Sequence, residues 1–144
     1  MPITTSDEGI RRILETARRV AVVGAHPAPA RPAHYVPAYL AERGYEIVPV
    51  NPKHAGETLF GAPVVGALGD VEGAVDMVVF FRRAAALPAY VEPLLAMRPR
   101  PAVVWFQSGI VHDEVARRLS DAGVEVVQDR CTYATHRAMG IPPR

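Results

Sequence analysis

Several things are scarce in this chain of 144 residues, and each scarcity excludes something. A single cysteine, Cys131, cannot form an internal disulfide, which fits a reducing cytoplasm rather than a disulfide-stapled secreted domain. Charge of one sign is not in surplus. The 16 basic and 15 acidic residues give a formal net charge of +1, and no lysine–arginine run exists to grip a nucleic-acid backbone. Long apolar runs are missing too: Val75–Phe81 is interrupted by Asp76 and ended by Arg82, far short of the roughly 20 residues that span a bilayer. The N-terminus has no basic segment leading into an apolar stretch, so no signal peptide is expected. Asn51 is the only asparagine, and Lys53 is the only lysine beside 15 arginines. Few amides and 14 prolines suit a thermophile, although a GC-rich genome biases composition the same way.

What is present is ordinary for a soluble globular chain: 49% hydrophobic and 22% charged residues in a length typical of one domain. Thr5-Ser6-Asp7-Glu8 offers a helix N-cap, and Ile10, Ile13, Leu14 and Ala17 recur at helical spacing, which predicts a helix over 6–18. Val20–Gly24 reads as a strand buried on both faces, followed by a proline-crowded loop over 25–34. His34–Arg43 reads as a helix stopped by Gly44. Pro37 is placed in its first turn, so this helix is expected to start no earlier than His34. Further strands are predicted at Glu46–Val50, Ala62–Val65, Val75–Phe81, Ala102–Phe106 and Val124–Val127. Helices are predicted at Ala84–Met97, divided or kinked by Pro93, and at Asp113–Ala122. The tail from Asp129 to Arg144 reads as mixed, with one short helical turn. Short strands alternating with helices imply a single Rossmann-like, doubly wound α/β domain with a mostly parallel sheet.

In such a sheet ligands bind beyond the carboxyl ends of the strands. The loops expected there are Gly24-Ala25-His26-Pro27-Ala28, Asn51-Pro52-Lys53-His54, Arg82-Arg83, Gln107-Ser108-Gly109-Ile110 and Asp129-Arg130-Cys131. The first sits between a strand and a helix, where backbone amides hold a diphosphate, but it lacks G-x-G-x-x-G, and an ordinary tight turn would read the same way. The second carries Asn51 and Lys53 where an NAD enzyme would place an acid on the ribose, which favours a phosphate contact for Lys53 over a solvated surface role. Arg82 and Arg83 offer anion contacts, with salt-bridged surface residues the favoured alternative. Gln107, Ser108 and Gly109 offer amides, a hydroxyl and close backbone approach, and Trp105 reads as core.

No catalytic set emerges. His26, His34, His54, His112 and His136 are scattered without a carboxylate at triad or metal spacing, so solvent-facing or helix-capping roles are expected; His26 keeps weight through its place in the first loop. Cys131 is expected to be a buried small residue rather than a nucleophile.

Val20-Ala21-Val22-Val23-Gly24-Ala25, Gly44-Tyr45 through Pro49-Val50-Asn51-Pro52, Val104-Trp105-Phe106-Gln107-Ser108-Gly109-Ile110 and Asp129-Arg130-Cys131 resemble the small bacterial CoA-binding proteins of the YccU type. That family is similar to the CoA-binding domain of the succinyl-CoA synthetase α subunit. The resemblance implies that residues 24–28 hold the CoA diphosphate, that Lys53 contacts CoA, and that Gln107-Ser108-Gly109 closes over it. The synthetase loop is richer in Thr, Ser and Gly than His26-Pro27-Ala28-Pro29, and its phosphohistidine domain has no counterpart, so ligase activity is not implied. The expectation is a cytoplasmic CoA or acyl-CoA binding protein without catalysis of its own, with no nucleic-acid or membrane partner and no metal. The alternatives are a non-catalytic component of an acyl-CoA ligase or acyltransferase, an NAD(P)-binding redox protein, or a scaffold with a vestigial crevice.

Overall fold

A computed structural model describes residues 3–143; Arg144, the end of the tail read as mixed, lies outside the described residues. Ser6 accepts from the Gly9 N–H and opens α1 (Asp7–Thr16), which buries Ile10, Ile13 and Leu14 along one stripe. Then follow β1 (Arg19–Val23), α2 (Pro32–Glu42), β2 (Glu46–Val50), a two-stranded ribbon of β3 (Thr58–Leu59) and β4 (Ala62–Pro63), and β5 (Met77–Phe80). The second half contains α3 (Val91–Ala96), β6 (Val103–Phe106), α4 (Asp113–Asp121), β7 (Glu125–Val127) and α5 (Thr132–Ala138).

The five main strands are parallel in the order β2-β1-β5-β6-β7. Alternating side chains supply two cores. Val20, Val22, Val103 and Trp105 pack toward Ile10, Leu14 and Leu40, whereas Ala21, Val23, Val104 and Phe106 pack toward Leu87, Leu94 and Leu119. This is the doubly wound α/β architecture expected, and Trp105 is core as read. Asp76 breaks the apolar run for a reason: its Oδ2 accepts the N–H groups of Arg18 and Arg19 at 2.9 Å each, fixing the entry to β1. At one sheet edge Pro49 presents no N–H outward, and its carbonyl is taken by the Val65 N–H.

Three expectations are corrected. The stretch over 62–65 does not add a strand to the main sheet; only Val65 bridges to Val50, and Ala62–Pro63 pairs antiparallel with Thr58–Leu59. The helix expected over 84–97 is a 3₁₀ turn at Ala84–Tyr90 followed by α3, because Pro88 and Pro93 each remove a helical donor. Helix α2 starts at Pro32 rather than His34, so Pro37 lies at its sixth residue, inside the helix.

Candidate ligand-binding site

The chain leaves β1 toward one edge of the sheet and returns to the other side of β1 as β5, so the carboxyl ends of these two strands flank the switch in strand order. Gly24 ends β1 there with φ +93°, and a Cβ at this position would stand 2.8 Å from the Phe81 carbonyl oxygen. The glycine is thus demanded by the backbone of the neighbouring strand end as well as by its own turn.

Two cavities open at this point and share Arg82. One, of about 520 Å³, is lined by Arg31, Ala33, Tyr35 and Val36 from the start of α2, by Phe81, Arg82 and Arg83 after β5, by Gln107, Ser108 and Ile110 after β6, and by Cys131. The other, of about 550 Å³, lies between Gly24, Pro52, the 66–69 segment, Arg82 and Tyr90. All five expected loops therefore contribute to one rim. Among the described residues no carboxylate lines either cavity. Among the described residues Arg31, Arg82, Arg83 and Lys53 make no ion pair, which corrects the salt-bridged reading of Arg82 and Arg83.

Of the expected site residues, Gly24, Pro52, Arg82, Gln107 and Ser108 line a cavity, while Ala25, His26, Pro27, Ala28, Asn51, Lys53 and Gly109 do not. Two of the polar ones shape the loops instead. Buried Asn51 caps a 3₁₀ turn over Pro52–His54 by accepting the Lys53 N–H at 3.0 Å, and its Nδ2 donates to the Ala25 carbonyl at 2.8 Å, tying the first loop to the second. Gln107, also buried, spends its amide on Thr132: Nε2 donates to Oγ1 at 2.9 Å, and Oε1 accepts the Thr132 N–H at 3.1 Å. Gly109, at φ +80°, donates its N–H to Asp129 Oδ1 at 2.7 Å.

The amides of the first loop are largely committed. Gly24 donates to Val50 O, His26 to Ala33 O, and Ala28 to the Nδ1 of His26 at 3.0 Å. Ala33, in the first turn of α2, lines the cavity of about 520 Å³, and its N–H makes no hydrogen bond among the described residues. An anion in that cavity would meet this helix start together with the three guanidiniums.

The histidines differ from expectation in detail. His112 caps α4 by accepting the Val115 N–H, as a capping role requires. His136 is buried instead of exposed, with Nδ1 2.8 Å from the Tyr39 hydroxyl. His54 does have a carboxylate partner, Glu57, at 2.9 Å. His26 stacks edge-on to His54 with ring centroids 5.3 Å apart. Its pKa is held below the ordinary histidine value, first because its half-buried ring disfavours the charged form, then through the positive charge of Arg31 and the neighbouring His54 and His34. Cys131 is half-exposed on the cavity wall, not buried. Among the described residues no group of three His, Cys, Asp or Glu side chains is arranged to hold a metal, and no helix is long and apolar enough to cross a membrane.

Sequence reasoning missed Arg31, Ala33, Tyr35 and Val36 as cavity residues, because Arg31 and Ala33 read as loop before the helix, and Tyr35 and Val36 read as part of a helix without a role at the rim. The Pro at position 32 was the available signal, since proline favours the first helical position.

Comparison with known proteins gives concordant results. The family model described as "CoA binding domain" matches residues 18–137. The protein YneT of Bacillus subtilis, itself uncharacterized, is 35% identical over 127 residues, covering 88% of this chain and 91% of its own. The structure of cell-free ID.343 from Thermus thermophilus superposes with a TM-score of 0.89 at 45% identity, over 94% of this chain and 99% of that one. At the level of fold alone, part of a dinucleotide-forming acetyl-coenzyme A synthetase from Ca. Korarchaeum cryptofilum matches with a TM-score of 0.58 at 19% identity, over 81% of this chain and 26% of that one.

Proposed function

Since the chain belongs to the family of CoA binding domains, we propose that its cleft binds coenzyme A or an acyl-CoA, and that it does so without chemistry of its own. The observation that carries this reading is the set of three guanidiniums, Arg31, Arg82 and Arg83, in no ion pair among the described residues, around an apolar-walled cavity at the strand-order switch. CoA is a polyanion joined to a weakly polar arm. Arginine forks and the Ala33 N–H suit its phosphates, while Val36, Phe81 and Ile110 suit the arm. Lys53, on the 3₁₀ turn after β2, is assigned the ribose 3′-phosphate, and the first loop and Gln107–Gly109 are assigned the surrounding walls.

The position where a nicotinamide dinucleotide would need an acid holds Asn51, whose amide is already engaged with Ala25 and Lys53. This disfavours the redox alternative. A cytoplasmic location accords with the lone cysteine, and the near-neutral balance of charge gives no footprint for nucleic acid. The second reading, a non-catalytic component of an acyl-CoA ligase, draws on the fold likeness to the synthetase.

Side-by-side calorimetry tests the ligand class: CoA should bind with a dissociation constant well below those of NAD and NADP. Equal or tighter NAD binding would reverse the assignment. The purified protein given ATP, CoA and a panel of carboxylic acids should form no acyl-CoA, and turnover above blank would refute the non-catalytic reading.

A further inference from the structure

We propose that Pro37 is a positioning residue for the ligand loop. In an uninterrupted α2, residue 37 would donate its N–H to the carbonyl of Ala33. Proline has no N–H, and its ring crowds that same carbonyl, so Ala33 loses its helical donor. The carbonyl takes a different one: the His26 N–H donates to it at 3.2 Å. A proline buried in the helix therefore creates the acceptor to which the loop after β1 is fastened.

His26 is the residue through which that loop docks. Besides the Ala33 bond, its carbonyl lies 2.8 Å from His34 Nδ1, and its own Nδ1 accepts the Ala28 N–H. One residue further back, the Ala25 carbonyl accepts from Asn51. The loop is thus held from α2 on one side and from the turn after β2 on the other. Helix stability gives no reason for proline at this place, since an ordinary helix former would complete the ladder. The gain is at the loop, which is held ready for its ligand rather than ordered on binding.

Amide hydrogen exchange and calorimetry on the full chain test this. In Pro37→Ala the new N–H should claim the Ala33 carbonyl. His26 amide exchange should then accelerate about 2- to 12-fold, the equivalent of one net backbone hydrogen bond, and the dissociation constant for CoA should rise by a similar factor. The melting temperature should hold or rise, which a merely structural role for Pro37 would not produce. A backbone ester at position 37, made with lactic acid in place of proline, also lacks the N–H and should keep both His26 protection and CoA affinity. The exchange measurement stands apart from the CoA reading on which the affinity measurement rests. Unchanged His26 exchange in folded Pro37→Ala, loss of protection in the ester, or faster exchange with unaltered CoA affinity would each overturn the proposal. If wild type binds no CoA, the ligand assignment fails while the exchange result still decides whether Pro37 creates the anchor.

Discussion

Gln107 and Thr132 hold each other through two hydrogen bonds in a buried setting, Nε2 to Oγ1 at 2.9 Å and the Thr132 N–H to Oε1 at 3.1 Å. Gln107 stands just beyond β6 and Thr132 begins α5, so this pair fixes the last helix against the sheet beside Cys131. Replacing the glutamine by methionine keeps the volume and strands both Thr132 groups away from water. Gln107→Met should cost about 2–4 kcal/mol, since a buried polar group left unpaired costs roughly 1–3 kcal/mol. Chemical denaturation should show a lower midpoint with an unchanged slope, whereas a loss under about 0.5 kcal/mol would mean that water replaces the amide.

Gly24→Ala should destabilise by about 2–4 kcal/mol, combining a left-handed backbone with a Cβ set against a carbonyl. The methyl group would meet the Phe81 oxygen at 2.8 Å, and backbone cannot swing aside as a long side chain can. Thermal unfolding should drop by roughly 5–15 °C for a domain of this size. An unchanged melting temperature would show that the strand ends part at little cost.

Lys53→Ala should abolish most of the preference for CoA over dephospho-CoA while leaving the fold intact, because Lys53 is exposed and in no ion pair among the described residues. A charge-assisted contact is worth roughly 1.5–3 kcal/mol, or about 10- to 100-fold, reduced by solvent screening at an open site. Calorimetry with both ligands on both proteins isolates the coupling. Equal weakening of the two ligands would move the 3′-phosphate to Arg82 or Arg83.

Folding should favour neutral His26, whose pKa is lowered in the native protein. Its contribution is complete above the unfolded value of about 6.5 and is lost as pH falls through the lowered native value. Protonation would also end the acceptance of the Ala28 N–H by Nδ1. His26→Asn keeps an acceptor for that N–H and does not titrate. Denaturation midpoints for wild type should fall between pH 7.5 and 5.5 more steeply than for this variant. Parallel pH curves would assign the titration to other groups.

Strand and helix periodicity was readable wherever neighbours along the chain settle it. Val20–Gly24 and Ala102–Phe106 read as buried strands and Thr5–Glu8 with the stripe of Ile10, Ile13 and Leu14 as a helix start, and β1, β6 and α1 lie there. Proline misled the reading at Pro37, because its cost depends on whether a distant group takes up the freed carbonyl; in the 84–97 stretch the break expected at Pro93 falls between Tyr90 and Val91 instead. For Pro37 that group is the His26 N–H, contributed by the loop after β1.

Hydrophobic alternation, glycine placement and the motifs after the strands were enough to specify a doubly wound domain and the rim to which the loops after its strands contribute. They could not say which polar side chains on that rim remain available. Asn51 and Gln107 look like free polar groups in the sequence, yet both side chains hydrogen-bond to neighbouring segments, whereas Arg82 and Arg83 look like surface ion pairs and make none among the described residues. Pairing of this kind is decided by three-dimensional proximity between loops far apart in the chain. Only folding, which brings the ends of β1, β5 and β6 together with the start of α2, determines which charges are left to meet a ligand.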